Sequence, residues 1–544
     1  MRDPHLAVRR RSRPRTRGRG KKLVGLTAAV AAGVAVSVVP ASGAAAAPAT
    51  PAVTPTAGTI AWAPCPDIDP DLGPLLKGLE CASLAVPLDY SHPDGRQLNL
   101  ALTRARHTAP DDQYQGAVLL NRGQWPGPIG RDMPTRYAKG TTGLPTDVGA
   151  TYDWIGFDPR GVGASEPKLV CDPTYVYPGQ ADADLVPRTP AEELAWTLRA
   201  RAYAKDCGDR YGDVLKFLST KDSARDLDSI RTALGQSQIN YIGYDYGTYL
   251  GSVYASMFPQ RVRRMVLDSV VRPSGVWYQN NLDQNVAAEK RAKNLFSWIA
   301  QYDSVYHLGT TEAAAEASYY KGMAMVREAP IDGKIGPAEY TDIFSIDIYR
   351  DWNWLTHVKA LSDWVTKQDP TALKALFSVP GYPHLNWQAV YSAVQCTDAP
   401  WPHNLLRWHQ DYSSQYRAGN TFLTWKQAWH NLPCAFWPVA AQAPQKIGQP
   451  NVDMLLVQPE NDPVHGTAGA IEVHRLFPNS RLLLEAGGNN QSASLSANNN
   501  ACLNGYVSAY LRDGTRPAAQ PGVDATCAAR PAPVPTPPAP TGGG

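Results

Sequence analysis

The 544-residue chain lacks several things that would have named a function at once. It contains no Cys-x-x-Cys pair and no His-x-x-x-His, so a metal centre has little support, and no cofactor is expected. It carries no basic stripe. The formal net charge is +3, and its excess sits in Arg9 to Lys22, so nucleic acid is not an expected partner. No internal repeat is visible. The run Leu23 to Val39 is about 17 residues long and rich in Ala and Gly, short for a membrane span. No histidine follows His474, an absence that matters below.

The basic cluster, the apolar run and the small residues "ASGAAAAPA" that follow have the three-part form of an export signal. Residues 1–47 are read as that signal and 48–58 as a flexible leader, giving a secreted chain with no membrane attachment once cleaved. Both Sec and twin-arginine routes stay open, since paired arginines are present but the usual Phe-Leu-Lys after them is not. All eight cysteines lie beyond the signal, and an even count in an exported chain favours disulfides. Neighbours are expected to pair, as 65–81, 171–207, 396–434 and 502–527, although other connectivities are open to the same eight.

Apolar runs alternate with amphipathic ones along most of the chain. "GAVLLN" (116–121), "YDWIGFD" (152–158), "INYIGYD" (239–245), "VRRMVLDSV" (262–270) and "VDMLLVQPEND" (452–462) read as strands. "TKDSARDLDSIRTAL" (220–234) and "TAGAIEVHRLF" (467–477) read as helices. Such alternation predicts an α/β fold, a mostly parallel sheet covered on both faces. Residues 272–440 break the rhythm. They are helical in pattern and hold eleven of the fifteen tryptophans, which suits a helical lid with an aromatic core, some of it facing a ligand. The remaining divisions are a core in two parts, 59–271 and 441–527, and a Pro/Gly-rich disordered tail, 528–544. A monomer is expected.

"NYIGYDYGTYLG" (240–251) reads as a strand end, a sharp turn and a helix start. Hydrolases of this layout place a nucleophilic serine at the tip of Gly-x-Ser-x-Gly. Here the tip is Asp245, between Gly243 and Gly247. "DWIGFDPRGVGASEP" (153–167), "DSVVRPSGVWYQNNLDQ" (268–284), "CTDAPWP" (396–402), "PCAFWP" (433–438) and "LLVQPENDPVHGTAGA" (455–470) accompany it in order. Together these segments, over roughly residues 60 to 527, resemble the secreted tripeptidyl aminopeptidases and related proline-iminopeptidase-like proteases of the α/β-hydrolase fold. The resemblance implies an eight-stranded sheet, an inserted helical lid, and peptide substrates cut near a free N-terminus.

It also implies positions for the catalytic residues. The family serine falls on Asp245 and the family aspartate on Asp462, which is intact. The family histidine falls on Asn489 in "LLLEAGGNNQSAS" (482–494), to within about one residue. The Gly-rich oxyanion loop reads "NRGQWPGPIG" (121–130), where Pro126 and Pro128 have no amide hydrogen to donate. Gln124 and Trp125 are candidate loop residues there, and the backbone N–H of Tyr246 is a surviving candidate oxyanion donor. Asp158 and Arg160 are expected to pair with each other. Glu460 and Asp398 are candidate anchors for a substrate amine.

Without serine or a histidine at the family position, ordinary serine peptidase chemistry is not expected. The favoured reading makes Asp245 and Asp462 an acid–base pair. Two carboxylates would share a closed cavity, one held protonated, for cofactor-free chemistry on a small metabolite: epoxide opening, isomerisation, elimination or cyclisation. A second reading makes Asp245 a nucleophile at an sp³ carbon, as in epoxide hydrolases of this fold. It needs a base, for which His465 is the candidate, and a lid tyrosine among Tyr278, Tyr349 and Tyr391. In a third reading the chain is a pseudoenzyme that binds a small molecule or short peptide without turnover. Serine at position 245 alone is expected to restore no peptidase activity, for want of a base.

Overall fold

The computed structural model describes residues 60–123, 130–496 and 500–536. The expected signal and leader lie outside them. The core is a ten-stranded sheet: β1 (Ala63–Pro64), β2 (Glu80–Pro87), β3 (Gln97–Ala105), β4 (Ala117–Asn121), β5 (Asp153–Phe157), β6 (Ile239–Tyr244), β7 (Val262–Asp268), β8 (Leu455–Pro459), β9 (Arg481–Ala486) and β10 (Ala525–Ala528). Their spatial order is β1-β2-β3-β5-β4-β6-β7-β8-β9-β10. Every pairing among β4 to β10 is parallel, and β1, β2 and β3 pair antiparallel. The expected eight-stranded sheet is thus present with a short strand added at each edge. These additions came with Cys65–Cys81, which ties β1 to β2, and Cys502–Cys527, which ties β10 to the helix Ala501–Asp513.

Burial explains why the inner strands were legible. Every residue of β4, β5, β6 and β8 is buried, because helices cover both faces of a parallel sheet. Alternate side chains feed two cores. Leu119, Ile155, Tyr241 and Leu456 point to one face, and Val118, Leu120, Ile242 and Val457 to the other. The two helices read from sequence fall at Thr220–Ala233 and Thr467–Leu476. A longer helix, Pro190–Tyr211, starts on a capping box: Thr189 and Glu192 satisfy each other's backbone amides, and proline sits at the first turn.

Between β7 and β8 lies a run of helices, including Tyr278–Gln301, Glu312–Glu328, Pro337–Ser345, Trp354–Lys367, Tyr382–Asp398, Leu405–Arg417 and Thr424–Asn431. Part of this cap has its own core, with Trp298, Trp354 and Trp364 buried in it. Trp401, Trp408, Trp425 and Trp429 instead join the core beneath. The end of the chain departs from expectation. Residue 528 belongs to β10, and the carbonyl of Pro533 accepts a hydrogen bond from Trp298 Nε1 of the cap at 2.9 Å. Proline leaves that carbonyl free of regular structure, and the indole N–H takes it. Residues 537–544 lie outside the described residues.

Two buried ion pairs replace the expected Asp158–Arg160 pair. Asp158 is held by Arg131 at 2.7 Å, and Arg160 by Asp226 at 2.6 Å. Each aspartate is buried in the core, so each needs its own full complement of donors, and the two partners come from different elements. All four disulfides join neighbours as expected: Cys65–Cys81, Cys171–Cys207, Cys396–Cys434 and Cys502–Cys527. Among the described residues no helix is long and apolar enough to cross a membrane.

Cys396–Cys434 closes a separation of 38 residues within the cap. Removing it with Cys396→Ala and Cys434→Ala should cost about 3–4 kcal/mol by loss of the loop constraint on the unfolded chain. Denaturant unfolding followed by tryptophan fluorescence measures this. A midpoint equal to that of the parent would show that the cap does not depend on the bridge.

Candidate active site

The turn after β6 carries Asp245 at φ 51°, ψ −122°, a conformation that non-glycine residues avoid. The surroundings enforce it. Its amide donates to the carbonyl of Asp268 at 3.1 Å, and its own carbonyl accepts from the amide and hydroxyl of Thr248. The flanking glycines are required by space. A Cβ on Gly243 would lie 2.5 Å from the Gly247 carbonyl, and one on Gly247 would lie 2.7 Å from Asn121 Oδ1. The result lifts the Asp245 side chain above the carboxyl ends of the strands, where ligands bind in open α/β sheets.

The other residues arrive from the neighbouring strand ends. The loop after β8 brings Asp462 and His465. Asp462 Oδ1 accepts from the amides of Val464 and His465, each at 2.8 Å. Gln458 of β8 donates to the His465 carbonyl at 2.7 Å. Held at both ends of its backbone, His465 turns its ring so that Nε2 meets Asp245 Oδ1 in a short hydrogen-bonded ion pair. Arg122 does not compete for Asp245, being engaged with Asp132.

This geometry revises the expected Asp245–Asp462 pair. The proton partner in contact with Asp245 is His465, and Asp462 serves it from behind. Asp462 Oδ2 is buried and accepts no hydrogen bond at bonding distance among the described residues, although the Ser269 hydroxyl is near enough to ease its ionisation. Burial pushes the Asp462 carboxyl upward, against the opposing pull of the His465 charge and the two amides. Burial alone would lower the His465 imidazolium, but the hydrogen bond and charge of Asp245, with Asp462 behind, carry it above its ordinary value.

Asn489 does not occupy the histidine's place. Its Oδ1 accepts from Asn461 and from Asn294 of the cap, both at 3.2 Å. The residue of that loop that reaches the cavity is Gln491. Beneath it, Asp268 holds the loop through the amides of Ala493 and Ser494 and the Ser494 hydroxyl. Burial raises the Asp268 carboxyl to about 6. Tyr246 keeps its backbone N–H on the first turn of the elbow helix, where helices leave amides unpaired, while its hydroxyl bonds Thr220 at 2.8 Å. Gln124 and Trp125 lie outside the described residues.

The cap closes over this floor. A cavity of about 630 Å³ is lined by Asp245, His465 and Gln491 below and by Trp277, Tyr349 and Trp387 among others above. Tyr349 and Tyr391 both feel the Asp245 charge, which together with burial raises their hydroxyls. Tyr391 is spent on Asn431 at 2.7 Å, whereas Tyr349 only accepts, from Gln284 at 3.5 Å, and keeps its proton to donate. Tyr278 is turned away to Asp411. Neither candidate amine anchor reaches the cavity. Asp398 is buried against Thr220 and Trp277, and Glu460 caps the Gly487 amide. Reasoning from sequence named His465 and Tyr349 only as candidates and missed Arg350 and Gln491, which also line the site. One signal for His465 was available: it stands three residues after the family aspartate in a chain with no later histidine but His474.

Sheet order, elbow and helical cap together define an α/β hydrolase. A family model described as alpha/beta hydrolase fold matches residues 136–326, and one described as TAP-like protein matches 420–533. A tripeptidyl aminopeptidase of Streptomyces lividans is 40% identical over 85% of this chain and 86% of its own length. The chain belongs to the tripeptidyl aminopeptidase family. Serine protease Hip1 of Mycobacterium tuberculosis is 28% identical over 81% of this chain and 86% of its own. Among solved structures, the α/β hydrolase MGS-M2 from a Medee basin deep-sea metagenome library matches 72% of this chain and 86% of its own at 11% identity and a TM-score of 0.31.

Asp245→Asn tests the electrostatics of the pair. It removes the carboxylate charge that holds His465 up, leaving at most a neutral hydrogen bond against the burial that pulls it down. The His465 midpoint should therefore fall from its raised parent value, with Asp462 alone still opposing the burial. Titration of the ¹⁵N-histidine-labelled protein by NMR measures it, and an unchanged or higher midpoint would mean the two side chains do not interact in solution.

Proposed function

We propose that this family member is a hydrolase that works through the Asp245 carboxylate and the His465 imidazole in place of a serine–histidine couple. The observation that carries the reading is the contact of His465 Nε2 with Asp245 at the floor of a cavity walled by aromatic residues of the cap. The substrate class is a small molecule with an electrophilic sp³ carbon bonded to oxygen, such as an epoxide. Asp245 attacks that carbon and the carbon–oxygen bond breaks. The departing oxygen takes a proton from Tyr349, which recovers one from solvent. The product of this step is an ester on Asp245. Ester formation removes the carboxylate charge, so His465 gives up its proton to solvent and the neutral imidazole can then accept one from water. The water oxygen adds to the ester carbonyl, the alcohol leaves with a proton from His465, and the Asp245 acid so formed hands its remaining proton to His465 as the carboxylate returns. The Tyr246 amide is placed to receive the oxyanion of that second step. No cofactor enters any step.

A second reading is supported by the same contact. A carboxylate and an imidazolium in direct hydrogen bond are a ready acid–base couple, and isomerisation or elimination needs nothing more. This replaces the expected pair of carboxylates, since His465 stands where both acids point. We further read the mature chain as an exported monomer, a location in keeping with its four closed disulfides.

Single turnover in H₂¹⁸O with a panel of epoxides separates the two readings. Label should enter the Asp245 carboxylate, read by mass spectrometry of its peptide, and His465→Gln should let the ester accumulate by slowing its hydrolysis about 10³-fold or more. Turnover without label in Asp245 would favour the acid–base reading. Because the ester step needs a neutral imidazole and the esterified Asp245 no longer carries the charge that holds His465 up, its rate should climb with pH through a midpoint lower than that of His465 in the free protein.

The protein should not react with fluorophosphonate probes, since no serine stands at the elbow. Asp245→Ser should gain slow labelling, because His465 is at hand as a base. This reverses the expectation that the single change would lack one. Rapid labelling of the parent would sink the carboxylate reading.

A further inference from the structure

The loop that carries the histidine in the family has a different occupation here. Three successive residues of it are bound to the cap. Asn489 Oδ1 accepts from Asn294 at 3.2 Å, Asn490 Oδ1 accepts from the Asp351 amide at 2.9 Å, and the Gln491 carbonyl accepts from Arg350 Nη1 at 2.6 Å. Arg350 and Asp351 belong to one turn of the cap, which also carries Tyr349. That turn is held from the cap side as well: Arg291, fully buried, donates to the Ile348 carbonyl at 3.1 Å. The turn is thus fixed between the cap's interior and the floor of the site.

We infer that this turn is the cap's contribution to the reactive centre, clasped in place by Asn489–Gln491, with Arg350 a positioning residue that sets the charge balance of Asp245, His465 and Asp462. Arg350 lines the same cavity as Asp245 and His465. Its guanidinium interacts with Asp462, Asp245 and Asp268, while burial brings its own value down to about 10. The groups around His465 are then Asp245 from the elbow, Asp462 from its own loop, Asp268 from the end of β7, Tyr349, Tyr391 and Arg350 from the cap, and Arg122 after β4. Arg122 is paired with Asp132, which Arg136 also engages. Arg350 is the cap's cation facing the carboxylates that favour the imidazolium form of His465. Under the proposed function this keeps His465 within reach of neutrality and able to act as a base. The role in charge balance does not depend on that function: it is argued from Arg350 sharing the cavity with Asp245 and His465 and being held there by Gln491.

The test is the His465 midpoint by NMR in the ¹⁵N-histidine-labelled full chain, which needs no substrate and so stands or falls apart from the hydrolase reading. Arg350→Gln keeps a donor for the Gln491 carbonyl but removes the charge, so the midpoint should rise by about half a unit or more. Arg350→Lys, which restores the charge, should bring it back toward the parent value. Asn490→Ala loosens the clasp without changing any charge and should move the midpoint in the same direction as Arg350→Gln. It decides the matter should Arg350→Gln fail to fold. A purely structural role predicts that all three variants keep the parent midpoint, and that result would overturn the inference.

Discussion

The backbone at Asp245 is the constraint from which the site follows. A residue forced into positive φ between two glycines that tolerate no side chain cannot relax into the helix or the strand. Its side chain is therefore held up into the cavity whatever that side chain is. The scaffold does not distinguish serine from aspartate at this point. It guarantees only that a reactive group is presented, and the groups around it decide what the presented group can do.

Here those groups have been redistributed. An imidazole still meets the elbow residue, but it comes from the loop after β8 and is anchored through its backbone by Asp462 and Gln458. The acid thus keeps its location while its main hydrogen bonds go to amides. Three carboxylates lie close together under an aromatic cap, two of them raised by burial. A cavity of that kind is tolerable only with cations inside it, and His465 and Arg350 supply them from opposite walls.

The inner sheet was legible because parallel strands buried on both faces are written as largely apolar runs, as in "AVLL" and "WIGF". Edge strands were not. β1 and β10 are two and four residues long and mixed in character, and β3 alternates because part of it faces solvent. The elbow was legible from two glycines and a resemblance. The base was harder to find, because family spacing pointed to Asn489, and only three-dimensional closeness brings His465 across 220 residues to Asp245. The partners of Asp158 and Arg160 were hidden for the same reason: adjacency in sequence said nothing about which acid each base would meet.

The four disulfides have one more consequence. Cys65–Cys81 lies at one edge of the sheet, Cys502–Cys527 joins the other edge to the helix Ala501–Asp513, Cys171–Cys207 lies on the chain before the elbow, and Cys396–Cys434 lies wholly within the helical insertion. No covalent bridge runs from the insertion to the loops bearing Asp245, His465 or Gln491. The thiol–disulfide state of the surroundings therefore bears on how well each layer holds its own shape. Access to the cavity is left to non-covalent contacts, and a chain in an oxidising medium is stapled without being locked.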